Sequence, residues 1–566
     1  MGNCLLRAPT LPRFWLSVLA LILVGWAGCN SSHHDVSSGL FIAPVTVQSP
    51  PSIREISDKV DLLSAISPEK SPNELLQTQA DSIVLGRLST HTSSQGLLDD
   101  GVELSDRLLI YEGISRSLLS VNLCTDRAGG CSHDVLLHYD THGIDEEEGG
   151  LVGGGISRDV PTIQLKNGWI LAYDSGSKNI IGFLLEPERA VRDAQGSVVL
   201  GPGGKPVLTD YRPFEVRTNK NFGRGNGLLL SLVISGEEMM AEIGRSKVPS
   251  PPIVTRLVEL EENKVLVFFS TLNEVHLLNL EEREANPDFD LDTPDPDFIP
   301  VKLLTGTVQG YKVRPDPLPP LLASPFIALS SISKITGNDV LAIDTFQPIL
   351  LPHPVPDPNP GVTLLLIFDQ TTSTFLTLKP VTVNGDDKIL EGTPKVAVNV
   401  LQNLKQAGLT APLDISGAFV HKNGREVCFM EERTNNLLAY DPSKPAGESL
   451  RIFVDSTRFS VRLDPSGSGG IVGQAEPKLV FATKDVNDNR LAFDGGLDEL
   501  ISASYSSSVV VVVASRSKII AATGGSLADL TYVEPLDDKN VRAWDSQSSA
   551  LMAIDLEYAA FPRRSN

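Results

Sequence analysis

Three of the nine histidines fall within ten positions, His133, His138 and His142, with Asp134, Asp140 and Asp145 beside them. Neutral imidazole nitrogens with nearby carboxylates form a donor set that zinc or copper takes, and the carboxylates can also orient the rings from behind. His133, His138, His142 and Asp140 are therefore the candidate metal ligands. Their spacing fits no established zinc motif, and a polar loop explains the same residues. A strand through Leu136 and Leu137 would aim alternate side chains at opposite faces. Calcium is the second metal to consider. Asp288-Phe289-Asp290-Leu291-Asp292 and Asp485-Val486-Asn487-Asp488-Asn489 both offer oxygen ligands at alternate positions. Thr293 and Arg490 stand where an EF-hand loop needs glycine, and no glutamate arrives at its twelfth position.

Cys124 and Cys131 bracket a short stretch that contains Gly129 and Gly130, so the loop can turn, and an oxidising compartment would close it as a disulfide. So short a closure contributes about 2.5 kcal/mol in the loop-entropy account. Cys428 lies between Val427 and Phe429 in a run of strand character and reads as a buried free thiol. The glycines from Gly149 to Gly155 follow Glu146-Glu147-Glu148, lack the G-x-G-x-x-G spacing and have no Lys-Ser/Thr after them, so they do not cradle phosphate. No nucleophile elbow and no zincin helix is present, and the residues identify no reaction.

The elements that must hold these residues are short apolar runs joined by polar turns. The clearest is Trp169-Ile170-Leu171-Ala172-Tyr173, the turn Asp174-Ser175-Gly176-Ser177-Lys178-Asn179, and Ile180-Ile181-Gly182-Phe183-Leu184-Leu185. Glycine can take positive φ there, and Asp, Ser and Asn can bond to their own backbone, so the stretch reads as a β-hairpin. Looser copies are Arg107–Glu112 with Leu118–Leu123, Lys264–Phe269 with Val275–Leu278, Val362–Asp369 with Phe375–Leu378, Glu426–Glu431 with Leu437–Asp441, and Val541–Asp545 with Leu551–Asp555. Leu228–Ile234 reads as a further strand, and Val509–Val513 is paired on this reading with Ile519-Ile520. Glu112 to Asp174 and Asp369 to Glu431 are both 62 positions apart. A repeat of roughly 60 residues suits four-stranded sheets enlarged by insertions. The expectation is an all-β chain, a β-propeller of six to eight four-stranded blades with seven as the best number; tandem β-sandwich domains are the alternative.

Four segments follow. Residues 1–28 carry Arg7 and Arg13, an apolar run from Phe14 to Val24, and small residues before Cys29, which is the pattern of a secretory leader too short to be an ordinary membrane span. Residues 29–52 are a tether rich in Ser, His and Pro, able to span on the order of 25 Å. Residues 53–80 hold Ile56, Val60, Leu63 and Ile66 at helical spacing, and 81–566 form the propeller. Pro- and Asp-rich insertions lie near 286–325 and 348–360, and Thr393 to Gly408 reads as a helix with a Thr cap, a proline in its first turn and glycine at its stop. Without 1–28 the chain has 46 basic against 70 acidic residues, a net charge of −24, which repels phosphate backbones and argues against nucleic-acid binding.

Two resemblances add to this. Ala27-Gly28-Cys29 resembles a bacterial lipobox, which implies lipid on Cys29. Asn30 after the cysteine differs from the aspartate of inner-membrane retention, which points to the outer membrane, facing the periplasm or the cell surface. Asp174-Ser175-Gly176-Ser177-Lys178-Asn179-Ile180-Ile181-Gly182-Phe183 resembles the repeat of NHL and YVTN-type β-propellers. Together they imply a membrane-anchored extracytoplasmic propeller that binds a protein or glycan partner as a scaffold. The alternative is a propeller-type hydrolase or lactonase, with a divalent ion at its centre.

Overall fold

The computed structural model describes residues 53–88, 107–123, 135–140, 155–185, 222–225, 228–243, 253–269, 274–285, 301–309, 327–328, 346–352, 363–369, 374–378, 381–383, 386–389, 395–399, 415–420, 426–431, 433–441, 444, 448–455, 479–484, 490–503, 510–535 and 540–555. All belong to the larger of two compact units, Val47–Phe561. The leader, the tether, Cys29, Cys124, Cys131, His133, His142 and both calcium stretches lie outside the described residues.

The described residues build antiparallel sheets in chain order. Sheet I is β2 (Ser82–Leu88), β3 (Arg107–Glu112), β4 (Ser117–Asn122) and β5 (Val135–Asp140). Sheet II is β6 (Ile163–Gln164), β7 (Ile170–Tyr173), β8 (Ile180–Leu185) and β10 (Leu228–Ile234), with β9 (Phe222–Gly225) outside β10. Sheet III is β11 (Val254–Glu261), β12 (Lys264–Phe269), β13 (Glu274–Ala285) and β14 (Val301–Gln309), with β15 (Ile327–Ala328) also on β13. Sheet IV is β16 (Phe346–Pro352), β17 (Thr363–Asp369), β18 (Thr374–Leu378) and β21 (Lys395–Asn399), and β19 (Val381–Val383) pairs β20 (Asp386–Ile389) apart from it. Sheet V is β22 (Ile415–Val420), β23 (Val427–Glu431), β24 (Asn436–Tyr440) and β25 (Leu450–Val454). Sheet VI is β26 (Leu479–Lys484), β27 (Arg490–Asp494), β28 (Glu499–Ala503) and β29 (Val510–Ala514). Sheet VII joins β30 (Leu530–Pro535), β31 (Asn540–Asp545) and β32 (Ala550–Asp555) to β1 (Ile53–Ser57) as its outermost strand.

The central strands of sheets I, II, III, V, VI and VII are buried on both faces, which a half-exposed sandwich sheet does not do. In sheet I, Leu109 and Tyr111 pack on Ile170, Ala172 and Phe183 of sheet II, while Leu108 and Ile110 pack on Trp544 and Leu551 of sheet VII. Sheet II meets sheet III through Leu171, Tyr173, Val265, Val267 and Phe269. Sheet V meets VI through Cys428, Met430, Ala492 and Ile501, and VI meets VII through Phe493, Leu500, Ala543 and Met552. Burying one such aliphatic side chain contributes about 1.5–3 kcal/mol, so these faces hold the stack together. First strands approach the first strands of neighbouring sheets: β2 nears β6, β6 nears β11, β16 nears β22, β22 nears β26, and β26 nears β30. Meander sheets stacked face to face with their first strands adjacent are the architecture of a β-propeller rather than of tandem sandwiches.

Helices occupy the passage from a fourth strand to the next first strand. Asp58 directly follows β1 and caps α1 (Lys59–Ile66) in a capping box with Asp61; Ser235 directly follows β10 and caps α3 (Gly236–Glu242) in a box with Glu238. Between them, α2 (Pro72–Gln77) has proline in its first turn and a box between Ser71 and Glu74, and α4 (Arg516–Thr523) ends at Gly524 in the left-handed region.

Two expectations are corrected. Lys395–Asn399 is strand β21, not the start of a helix: Val396 and Val398 pair with Leu376 and Phe375, so cross-strand pairing overrides the cap signal of Thr393. Ile519-Ile520 lies in α4, and Val510–Ala514 pairs instead with Leu500–Ala503. The hairpin of β27 and β28 is one that the sequence expectation does not include, although Gly496 stands two places after Asp494 as Gly176 does after Asp174.

Candidate functional site

The most organised polar feature is the turn between the second and third strands, where in every sheet but III one acidic residue closes the second strand. The register is the same throughout: Glu112 pairs Ser117, Asp369 pairs Thr374, Glu431 pairs Asn436, Asp494 pairs Glu499, and Asp545 pairs Ala550, while Asp174 N–H donates to Asn179 O at 2.9 Å. Glu112, Asp174, Glu431, Asp494 and Asp545 are almost fully buried. A buried carboxylate is tolerable only when its lone pairs are filled. Here the turn fills them. Ser115 N–H and Oγ donate to Glu112 Oε2, Gly176 N–H, Ser177 N–H and Ser177 Oγ donate to Asp174, Thr434 N–H (2.7 Å) and Oγ1 donate to Glu431, Gly496 N–H donates to Asp494 at 2.9 Å, and Ser548 Oγ donates to Asp545. Asp81 N–H at 2.8 Å and Asp529 N–H at 2.7 Å also reach Glu112 and Asp545, tying the turn to the start of the first strand. Burial is the main cause that raises the Asp545 carboxyl, against hydrogen bonds that lower it. These carboxylates are turn caps, engaged by backbone and hydroxyl donors, and hold no open position for a substrate.

The sequence-marked histidine cluster places one side chain. His138, buried in β5, has Nε2 2.6 Å from Ser120 Oγ, and Arg107 Nε donates to the same oxygen at 2.6 Å. A serine hydroxyl beside an imidazole is the geometry of a base-activated nucleophile. Ser120, His138 and Arg107 are 0%, 2% and 3% exposed, however, so the three act as a polar staple across β3, β4 and β5. Nε2 of His138 is thereby taken. Asp140 ends β5, and its side chain lies outside the described residues. Among the described residues no three His, Cys, Asp or Glu side chains stand together to hold a metal ion. Cys428 is a buried thiol raised chiefly by burial, with Arg490 Nη2 3.1 Å from its sulfur.

The first strands carry a second polar group that sequence reasoning missed. Arg87 of β2 meets Glu534 of β30 at 2.9 Å, Tyr532 O–H donates to the other Glu534 oxygen at 2.9 Å, and Gln164 Nε2 donates to Arg87 O at 2.8 Å. Burial and the neighbouring Glu534 hold the Tyr532 phenol well above its ordinary range. No local spacing signals a pair 447 residues apart.

No family model matches the chain, and no curated protein matches it in sequence. Among solved structures, virginiamycin B lyase from Staphylococcus aureus aligns with 8% identity over 84% of this chain and 99% of that one, at a TM-score of 0.35. A streptogramin B lyase aligns with 10% identity over 85% and 95%, at 0.34, and YCF48 from Cyanidioschyzon merolae with 10% over 84% and 97%, at 0.36.

Proposed function

We propose that the protein is a membrane-anchored, extracytoplasmic β-propeller that serves as a binding or scaffold module, held to the bacterial envelope by lipid on Cys29. The observation that carries this reading is where apolar side chains are left in water. Leu76, Ile114, Ile253 and Leu527 are 54%, 51%, 47% and 48% exposed. Ile114 lies in the β3–β4 turn, Ile253 immediately precedes β11, Leu527 lies just before β30, and Leu76 sits in α2 ahead of β2. Since Ser82 pairs Glu112, Val254 pairs Phe269 and Leu530 pairs Asp545, first strands begin where the capped turns lie, so all four residues belong to that end of their sheets. Ile53 pairs Ile554 at the opposite end of sheet VII, so the anchored segment joins there. A chain entering at one end of sheet VII leaves the capped turns at the other end clear of it, where apolar side chains can meet a partner. No observation favours the hydrolase or lactonase reading.

Two measurements test this. Palmitate labelling and membrane fractionation should find the wild type lipidated and membrane-bound, and Cys29→Ala unlabelled and released; a Cys29→Ala protein that stays labelled overturns the anchor. In-cell cross-linking should lose its heteromeric product in the combined Ile114→Asp, Ile253→Asp and Leu527→Asp variant while circular dichroism and melting stay native. An unchanged product overturns the assigned surface.

A further inference from the structure

Sheet VII draws its strands from both parts of the chain: β1 from residues 53–57 and the rest from residues 530–555. The chain runs on from β1 through α1 and α2 into β2, so β1 alone makes sheet VII continuous with sheet I. It is a slight fastening. β1 has five residues, its ladder to β32 is bulged between Glu55 and Ser57, and only Ile56 and Ser57 are buried. A short outer strand of this kind opens at lower free energy than the strands inside it. If β1 were the sole joint, its opening would part the two sheets and wet Leu108, Ile110, Trp544 and Leu551.

Beside the apolar packing of Leu108 and Ile110 on Trp544 and Leu551, two polar contacts cross the same junction without β1. Arg542 Nε donates to Leu123 O at 2.9 Å, and Arg87 pairs with Glu534 at 2.9 Å, with side chains 25% and 21% exposed. Tyr532 O–H fills the second Glu534 oxygen, and Gln164 braces the Arg87 backbone from sheet II. An ion pair shielded from water and oriented by a second hydrogen bond keeps more of its attraction than a surface pair does. We infer that Arg87, Tyr532 and Glu534 form a clasp on the first strands that keeps sheets VII and I joined while β1 undocks. β1 is then a detachable strap at the point where the N-terminal segment enters the fold. This inference stands whether or not Cys29 carries lipid.

Hydrogen exchange followed by mass spectrometry on the full chain tests it. In the wild type, amides of β1 should exchange at least tenfold faster than those of β2 and β30. In Glu534→Gln and in Arg87→Met, β2 and β30 should come to exchange at the rate of β1, with sheets III and V unchanged. The double variant should do no more than either single one, because both remove the same contact. Glu534→Asp, which keeps the charge and shortens the reach, should be intermediate, and it substitutes for Glu534→Gln if that protein does not accumulate. Exchange of β1 only at the rate of β2 and β30 would overturn the inference, as would protection of β2 and β30 that survives both variants, or additive effects in the double variant.

Discussion

Sheets II and III pack on each other through one apolar cluster, yet their central hairpins are closed in different ways. In sheet II the second strand is followed directly by Asp174, whose carboxylate collects Gly176 N–H at 3.2 Å and Ser177 N–H at 3.1 Å. In sheet III the same position is Phe269, which is buried, faces sheet II and meets His276 edge-on at 5.6 Å. The register is nonetheless the same: Phe269 pairs Glu274 five residues on, as Glu112 pairs Ser117. Turn length and apolar alternation therefore set the register, and the acid supplies a cap to a turn that is already specified. One hairpin is fastened by hydrogen bonds, the other by burial.

The two fastenings should fail by different amounts. Phe269→Ala opens a cavity between the sheets and should cost about 3–5 kcal/mol, read as a lowered denaturant midpoint at unchanged m-value. A loss under about 1 kcal/mol would mean that the aromatic ring is not what closes this hairpin. Asp174→Ala strips an acceptor from three donors in a partly buried turn and should cost about 2–3 kcal/mol. Asp174→Asn keeps one acceptor oxygen and should cost about 1 kcal/mol. Equal losses in the two Asp174 variants would show that the charge, rather than the acceptor geometry, supports the turn.

The residues one place earlier sharpen the contrast through pH. Tyr173 of sheet II is buried, and burial pushes its phenol up to about 12, against a lowering by the Val254 N–H. Phe268 holds the matching place in sheet III and cannot ionise. A phenol whose folded pKa lies above its unfolded value of about 10 stabilises the fold fully below pH 10, and that contribution is lost as pH rises through about 12. Phenolate absorbance should therefore lag behind that of exposed tyrosine, and Tyr173→Phe should flatten the fall in stability over the same window. If the variant melts with an unaltered alkaline profile, Tyr173 is not the group being titrated.

The same contrast accounts for how much could be read from the sequence. The hairpins from Arg107, Trp169, Lys264, Val362, Glu426 and Val541 were legible, because their apolar alternation is local and their turns are short. The hairpin of β27 and β28 was not, although Gly496 follows Asp494 as Gly176 follows Asp174; what its turn lacks is the hydroxyl of the others, since Leu497 stands where Ser177 does. In five of the other hairpins Ser115, Ser177, Thr372, Thr434 and Ser548 each stand three places after the closing acid, a spacing that ties those turns together. Of the candidate metal set, His138 and Asp140 both lie on β5, and the His138 ring is held by Ser120 and, through it, Arg107, partners from other strands. The Arg87–Glu534 pair was beyond sequence reasoning for the same cause, since it exists only once both chain ends have been brought to one junction.

The smallest effect should come from the residue that follows the turn donors. Arg116, Lys178, Asn435, Asp498 and Ser549 all take positive φ, between 51° and 64°, each four places after the closing acid. Five residue types in one left-handed conformation mean that the loop imposes the geometry and the side chain tolerates it. Holding a non-glycine residue there costs about 1 kcal/mol, which glycine would relieve. Glycine also gives the unfolded chain about 0.4–1 kcal/mol more entropy to lose. Lys178→Gly should thus leave stability within about 0.5 kcal/mol, whereas Lys178→Val, branched at Cβ, should lose about 1–2 kcal/mol. If glycine instead gained a full 1 kcal/mol, strain at this position would be larger than its cap can offset, and the acid would have to be credited with forcing the turn rather than finishing it.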